Sequence, residues 1–499
     1  MELKKRSKII SAITIVLLSA GIVRFFYICV FKHSEYSEAA ERQRVYGTEL
    51  EAERGNIFDR NMIPITNRRE EILSYIMPNS SIYKIHSFIR YDENSLAKYI
   101  TGYVRKDGTG ETGVEGKYDE YLKPVDVREI VMVRDAKNKP LNGFGYTITE
   151  TDKKPYDIRL TIDYRYQSVC EEVFRKNNLA GAFVLQDTSN GDITAMGSFP
   201  DYRHGHISDY LNSDGGELIN RATSAFNLGS VYKMVVAACA LEKKIDLDYS
   251  YYCTGSIDVT GKQFKCHTNL SGGHGILNMK NAFAKSCNPF FIDLGLEIGM
   301  KDLVEFSELF GFGRKTGLEE QGIFESSGNL PDINGIVNDR AIANISIGQG
   351  EIMASPLQVT NAVSAVANGG LLLKPNIIES IINMEGNVIE RVKEEKLTRI
   401  IKESTAEKLK EYMEEVALTG TAYEGISAYG LSGIYGKTGS AETGKVTELG
   451  QVVHSWFSAF FEMNGKTYTL TVFIENGVML SQSATKVFGE IVSLTSTIQ

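Results

Sequence analysis

The sequence predicts an α+β chain in three parts: a membrane-spanning N-terminal helix, a small α+β module, and a larger domain whose five-stranded antiparallel sheet is flanked by helices. Three observations predict it. An apolar run of 23 residues, 9–31, follows a basic N-terminus; strand-like alternation opens and closes the C-terminal two thirds of the chain; helical periods lie between. With 499 residues, 42% of them hydrophobic and 23% charged, the chain suffices for two to four globular domains. A net charge of -9 and the lack of any Lys/Arg stripe beyond the N-terminus exclude a nucleic-acid partner.

Taken in order, "MELKKRSK" supplies Lys4, Lys5, Arg6 and Lys8 just before the apolar run. That run is long enough to cross a bilayer. The basic flank places residues 1–8 in the cytoplasm and everything after the 9–31 anchor outside. A cleaved signal peptide is the rival reading, since "LSAG" offers small residues, but apolar residues continue past it. Arg24 lies where its side chain can snorkel to the interface. Residues 32–153 are short-patterned, with turn signals "KDGTG" and "DAKNKPLNG", and read as the small module. At "YDIRLTIDYRYQSVCEEVFRKNN" alternation passes into a helical period, so the larger domain is set at 154–499. "GAFVLQDTSNGDITAMGSF" reads as a hairpin around Asn190-Gly191. A helix is expected to begin near Ser230, another at "MKNAFAKSC", another at "SPLQVTNAVSAVANGG", and one at "STAEKLKEYMEEV" with a capping box of Ser404 and Glu407. "GIYGKTGSAE", "HSWFSAFFE" and "TYTLTVFIE" complete the sheet, and "ATKVFGEIVSLTSTI" reads as a final helix.

Ser-x-x-Lys is a weak signal alone, for Ser81/Lys84, Ser95/Lys98 and Ser483/Lys486 share its spacing. Only Ser230 follows a glycine and precedes a long apolar helical run, with Lys233 on the same helical face. A desolvated lysine there loses its proton readily and can take that of the serine. Read by itself, the pair is also an ordinary cap beside a snorkelling lysine. "KSCNPFF" adds Ser286 and Asn288, and "GKTGSAE" adds Lys437, Thr438, Gly439 and Ser440 on a strand. Hydroxyls there can relay protons or bind a carboxylate, and a strand-edge N–H can serve an oxyanion. A second "KTG", Lys315 to Gly317, lacks a strand pattern and reads as a loop. His454 reads as a strand residue beside the site, and His204 and His206 as loop residues.

In this order, S-x-x-K, S-D-N and K-T-G form the set used by penicillin-binding proteins and class A β-lactamases, and here Cys287 replaces the Asp, which argues against a class A β-lactamase. The chain resembles the monofunctional, class B penicillin-binding proteins over nearly its whole length, "ERGNIFDRN", "GETGVEGKYDEYL", "LTIDYRYQ", "NRATSAFNLGS" and "IGQGEIMASPLQV" included. "RGNIFDR" belongs to that family's N-terminal pedestal and is absent from β-lactamases. The resemblance implies a serine-transpeptidase, β-lactamase-like fold for 154–499 and a pedestal for 32–153. It implies a membrane-anchored peptidoglycan D,D-transpeptidase, inhibited by β-lactams, that cross-links stem peptides through an acyl-Ser230. Lys233 would be the base, although which group serves is disputed for these motifs. Ser286 and Lys437 would handle protons, Asn288 would align the peptide, and Thr438 with Ser440 would grip its carboxylate. No cofactor is required. A multi-pass glycan polymerase of the shape, elongation, division and sporulation (SEDS) family is the partner implied. A D,D-carboxypeptidase, or a mainly structural activator of such a polymerase, are the alternatives. Leu228, Val231 and Ser440 depart from the family's usual residues without removing a reactive group.

Cys253, Cys266, His274 and Cys287 span a Gly-rich stretch. Three thiolates and an imidazole suffice for tetrahedral zinc. The rival is a Cys253–Cys266 disulfide, which an oxidising compartment favours.

Overall fold

The computed structural model describes residues 2–50, 53–76, 82–124, 128–133, 146–149, 154–245, 249–333, 338–391, 397–447, 450–475 and 483–498. The turn signal "DAKNKPLNG" lies outside them. Two compact units emerge: 1–54, 70–88 and 124–154 form one, and 55–69, 89–123 and 155–499 the other.

In the first unit, helix α1 (Glu2–Phe31) contains a stretch, Lys4–Phe31, that is long and apolar enough to cross a membrane. The helix His33–Arg44 follows, then an antiparallel sheet in the order Val45–Leu50, Arg128–Val133, Tyr146–Thr149.

The second unit is built on the five-stranded antiparallel sheet that the alternation predicts. Its strands are β1 (Gly181–Asp187), β2 (Ile193–Phe199), β3 (Tyr435–Thr447), β4 (Gly450–Met463) and β5 (Lys466–Ile474), in the order β3-β4-β5-β1-β2. β1 and β2 join through the Asn190-Gly191 turn, Gly191 at φ 81°. Chain-distant strands are thus neighbours, and the sheet closes only when residues 435–474 return to 181–187. Among the helices are α2 (Tyr164–Lys176), α3 (Lys233–Glu242), α4 (Met279–Ala284), α5 (Asn288–Ile298), α6 (Pro356–Ala367), α7 (Glu403–Leu418) and α8 (Ala484–Thr495). Thr360 of α6 hydrogen-bonds Thr471 of β5, while Phe457 of β4 meets Phe488 of α8. Thr471 pairs with Ser458 and Val472 with Phe457, so the two contacts lie on opposite faces and a helix covers each.

The expected helix boundaries need two corrections. Ser230 lies in a 3-10 turn, Gly229–Tyr232, and the α-helix begins at Lys233. Ser404 and Glu407 make no capping box, because α7 starts at Glu403 after Lys402. The Glu242 carboxylate serves this helix end from outside, accepting from Lys402 N and Thr405 Oγ1 at 2.7 Å each. A capping box does exist at Ser355 and Gln358, in front of α6.

A second sheet, in the order Val388–Arg391, Ile378–Ile382, Asp157–Leu160, Ile57–Phe58, carries the "GNIFDR" stretch. Its Asp59 is fully buried and accepts from Asn61 N (2.7 Å), Ile63 N (2.7 Å) and Tyr164 N (3.0 Å). Arg60 reaches Asp192 beside the β1–β2 turn at 3.3 Å. This stretch therefore fixes the start of α2 and the end of the main sheet together. Asp59→Ala leaves three backbone donors without their acceptor and is expected to lower stability by about 3 kcal/mol, read as a fall in Tm of the detergent-solubilised chain.

Candidate active site

The site is assembled from three segments that the sequence singles out. The Ser230 turn is seated by its neighbours: Gly229 N donates to Gly348 O at 2.9 Å, and Asn227 Nδ2 donates to Gly350 O and Ile352 O at 3.0 and 3.1 Å. Gly229, at φ 54°, lies so near strand β3 that a Cβ there would come within 2.4 Å of Ser440 O. A Cβ on Gly439 would come within 2.7 Å of Val231 Cγ2. Glycine at both places lets the turn carrying Ser230 touch the strand carrying Lys437–Ser440.

Between α4 and α5 the chain makes a sharp corner. Ser286 sits there at φ 53°, a left-handed conformation that costs about 1 kcal/mol or more outside glycine. The corner aims three groups inward. Lys233 Nζ donates to Asn288 Oδ1 (2.7 Å), Ser286 O (2.8 Å) and Ser286 Oγ (3.3 Å). Lys437 Nζ donates to the same Ser286 Oγ at 3.0 Å, and to Thr438 O at 3.1 Å. Asn288 Nδ2 is anchored on Lys265 O at 3.1 Å.

Both lysines are 0% exposed. Their ammonium groups lie over aromatic faces, Lys233 over Phe291 (5.4 Å) and Lys437 over Phe283 (5.5 Å). Burial drives the Lys233 pKa down to about 7, against an opposing pull from the sulfurs of Cys287 and Cys266. Burial, and then the charge of Lys233, hold Lys437 well below the ordinary lysine value. Near neutral pH Lys233 can thus give and take a proton, and the Ser286 hydroxyl it shares with Lys437 links the two amines. On β3, Lys437 and Gly439 are buried, Thr438 is half-buried and Ser440 exposed, as alternation requires. The segments bearing Ser230 and Lys233, Ser286 and Asn288, and Lys437–Ser440 thus converge on one site.

The remaining candidates separate from it. The second K-T-G is the expected loop: Thr316 N, Thr316 Oγ1, Gly317 N and Glu319 N all donate to the Glu325 carboxylate, which is 1% exposed. His454 faces Ala441 across the β3–β4 ladder, its ring against Phe226 and Phe473. His204 stacks on Tyr91 at 3.8 Å, and burial lowers its pKa to about 4. His206 is exposed beside Asp209.

Cys253, Cys266, His274 and Cys287 do come together, every pair of ligand atoms lying within 4.8 Å. All six cysteines are free thiols, so Cys253 and Cys266 are near one another without a disulfide. The interaction between the Cys266 and Cys287 side chains holds the first thiol well below its ordinary value and, with burial, pushes the second up. Tetrahedral zinc, with bonds of about 2.0–2.3 Å, keeps its donors roughly 3.5–3.8 Å apart, and the cluster fits it.

Three contributors carry no motif. Thr421 hydrogen-bonds Thr438, and Phe283 and Phe291 wall the two lysines. The aromatics stand near "SCN" in sequence, but only the fold reveals what they enclose.

The family model of the penicillin binding protein transpeptidase domain matches residues 181–493. The chain belongs to the penicillin-binding protein transpeptidase family. Stage V sporulation protein D of Bacillus subtilis (strain 168) is 29% identical over 410 residues, which cover 79% of this chain and 61% of that protein. The chain thus spans about three fifths of that relative. Peptidoglycan D,D-transpeptidase MrdA of Acinetobacter baumannii is 23% identical over 580 residues, 95% of this chain and 85% of its own. Among solved structures, a chain from a peptidoglycan synthase complex that coordinates polymerization and crosslinking superposes with a TM-score of 0.74. It is 19% identical and covers 99% of both chains, a likeness of fold.

Because a proton acceptor must be neutral to act, acylation of Ser230 by a penicillin is expected to quicken as pH rises through about 7 and to fade below it, measured as a second-order rate constant against pH.

Proposed function

We propose that the chain is a membrane-anchored peptidoglycan D,D-transpeptidase. The observation that carries this reading is the fully buried Lys233, bonded to Ser286 and Asn288 one helical turn from Ser230. Neutral Lys233 takes the Ser230 proton as Oγ attacks the carbonyl between the two terminal D-alanines of a stem peptide. The N–H groups of Ser230 and Ser440 hold the developing oxyanion. D-Alanine leaves with a proton returned through Ser286 and the two lysines. Asn288 aligns the peptide, while Thr438 and Ser440 grip its carboxylate. An amine from a neighbouring stem then attacks the acyl-serine, restoring Ser230 and forming the cross-link. A β-lactam imitates the D-alanyl-D-alanine end and leaves an acyl-serine that water clears slowly.

In this reading residues 1–8 are cytoplasmic, 9–31 span the membrane once, 32–153 form the pedestal and 154–499 the extracytoplasmic enzyme. The basic residues before the apolar helix support that orientation. The partner is a multi-pass SEDS-family glycan polymerase, engaged through the anchor and pedestal. Similarity over 99% of the chain to a protein of a synthase complex supports this. The decisive measurement is intact-protein mass after mixing with a penicillin. A stable adduct on wild type that Ser230→Ala lacks is expected, and a well-folded wild type without an adduct would leave a structural role for the chain.

Transpeptidation in this family needs no cofactor. For the cysteine–histidine cluster we propose structural zinc, held by Cys253, Cys266, His274 and Cys287. The metal would neutralise the thiolates and fix the corner between Ser286 and Asn288, since Cys287 stands between them. One zinc per chain by elemental analysis, and a lower Tm on chelation, are expected. A mass gain of two hydrogens on reduction would instead reveal the Cys253–Cys266 disulfide.

A further inference from the structure

The loop after α7 brings Thr421 to the site from a direction that none of the three motifs occupies. Thr421 N donates to Ala284 O at 3.2 Å, and Gly420 lies so close that a Cβ would come within 2.4 Å of the same oxygen. Ala284 ends α4, two residues before Ser286. The loop is therefore seated on the element that places the proton-relay hydroxyl. From this seat the exposed Thr421 hydroxyl bonds that of Thr438, whose carbonyl is already taken by Lys437. A threonine hydroxyl has one proton to donate and two lone pairs to accept with. If Thr438 gives its proton to a ligand carboxylate, it has only lone pairs left for Thr421. The Thr421 proton must then point at Thr438, and the chain of hydroxyls runs one way, toward the carboxylate.

We propose that Thr421 is a positioning residue for recognition of the ligand's free carboxylate: it fills an acceptor site on Thr438 and leaves that hydroxyl's proton aimed at the anion. The inference rests on the transpeptidase reading above. It separates two requirements, for Ser230 chemistry needs no carboxylate, whereas selectivity for a free C-terminus does.

The experiment compares Ser230 acylation by benzylpenicillin and by its methyl ester in the full-length, detergent-solubilised chain. Wild type, Thr421→Val, Thr421→Ala and Thr421→Ser are each checked for unchanged melting. Val and Ala are expected to slow acylation by the free acid about tenfold or more while altering that by the ester less than about twofold. Ser, which keeps the donor, should restore the preference for the acid. Equal losses on acid and ester would mean a merely structural role and overturn the inference, as would an unchanged acid-to-ester ratio in Val and Ala. Should Val unfold, Ala carries the comparison, and Ser must retain the ratio in either case. Wild type that fails to acylate with either compound overturns the transpeptidase reading and this inference together, an outcome visible before any variant is made.

Discussion

Two lysine side chains buried around one serine hydroxyl set the terms for the rest of the site. Lys233 comes from the start of a helix, Lys437 from a strand some two hundred residues later, and Ser286 from a corner between two other helices. Charged ammonium groups resist such burial strongly, and the structure offsets it with carbonyl and amide acceptors and with aromatic faces. What the offset leaves is a Lys233 amine whose pKa falls to about 7 and a Lys437 amine held well below the ordinary lysine value. The same desolvation that opposes folding thus produces the reactivity. A surface lysine at either place would stay an ammonium and accept nothing.

Glycines make that geometry reachable. Gly229 and Gly439 allow the serine turn and the lysine strand to touch, and Gly348 completes the layer, since a Cβ on it would lie 2.0 Å from Gly229 O. Three segments with no sequence proximity are pressed into one sandwich whose spacing is set by missing methyl groups. The five-stranded sheet gives this sandwich its rigidity, because the strand bearing Lys437 is zipped along β4 from Tyr435 to Glu442.

Much of this was legible beforehand, for reasons that differ by element. The five strands announce themselves as apolar and β-branched runs bounded by turn residues, although helices cover both faces of the sheet and β1 and β2 are buried throughout. Ser230, Lys233, Ser286, Asn288 and Lys437 were legible only jointly, as each motif alone is commonplace, and their convergence is a matter of tertiary structure. The capping box was misplaced for a physical reason: the α7 terminus takes its acceptor from Glu242, some 160 residues away, which no local pattern reveals. Thr421 was invisible, since a threonine in "LTGTAYEG" is ordinary until the loop is seated against Ala284. The cysteines and His274 were visible as a donor set, but their common vertex depends on how the Gly-rich stretch folds back on α5.

The second Lys-Thr-Gly draws a wider lesson about what a short motif encodes. Around Glu325 its backbone and hydroxyl donors embrace a carboxylate, as the strand version is proposed to do for a ligand. In the loop the guest is covalently part of the host and never leaves. The tripeptide therefore spells an aptitude for carboxylates, while its surroundings decide whether that aptitude becomes architecture or traffic. In the loop Thr316 and Gly317 close around the chain's own Glu325, while in the strand Lys437 turns inward to Ser286, so one tripeptide is architecture in the first place and lines the proposed site in the second.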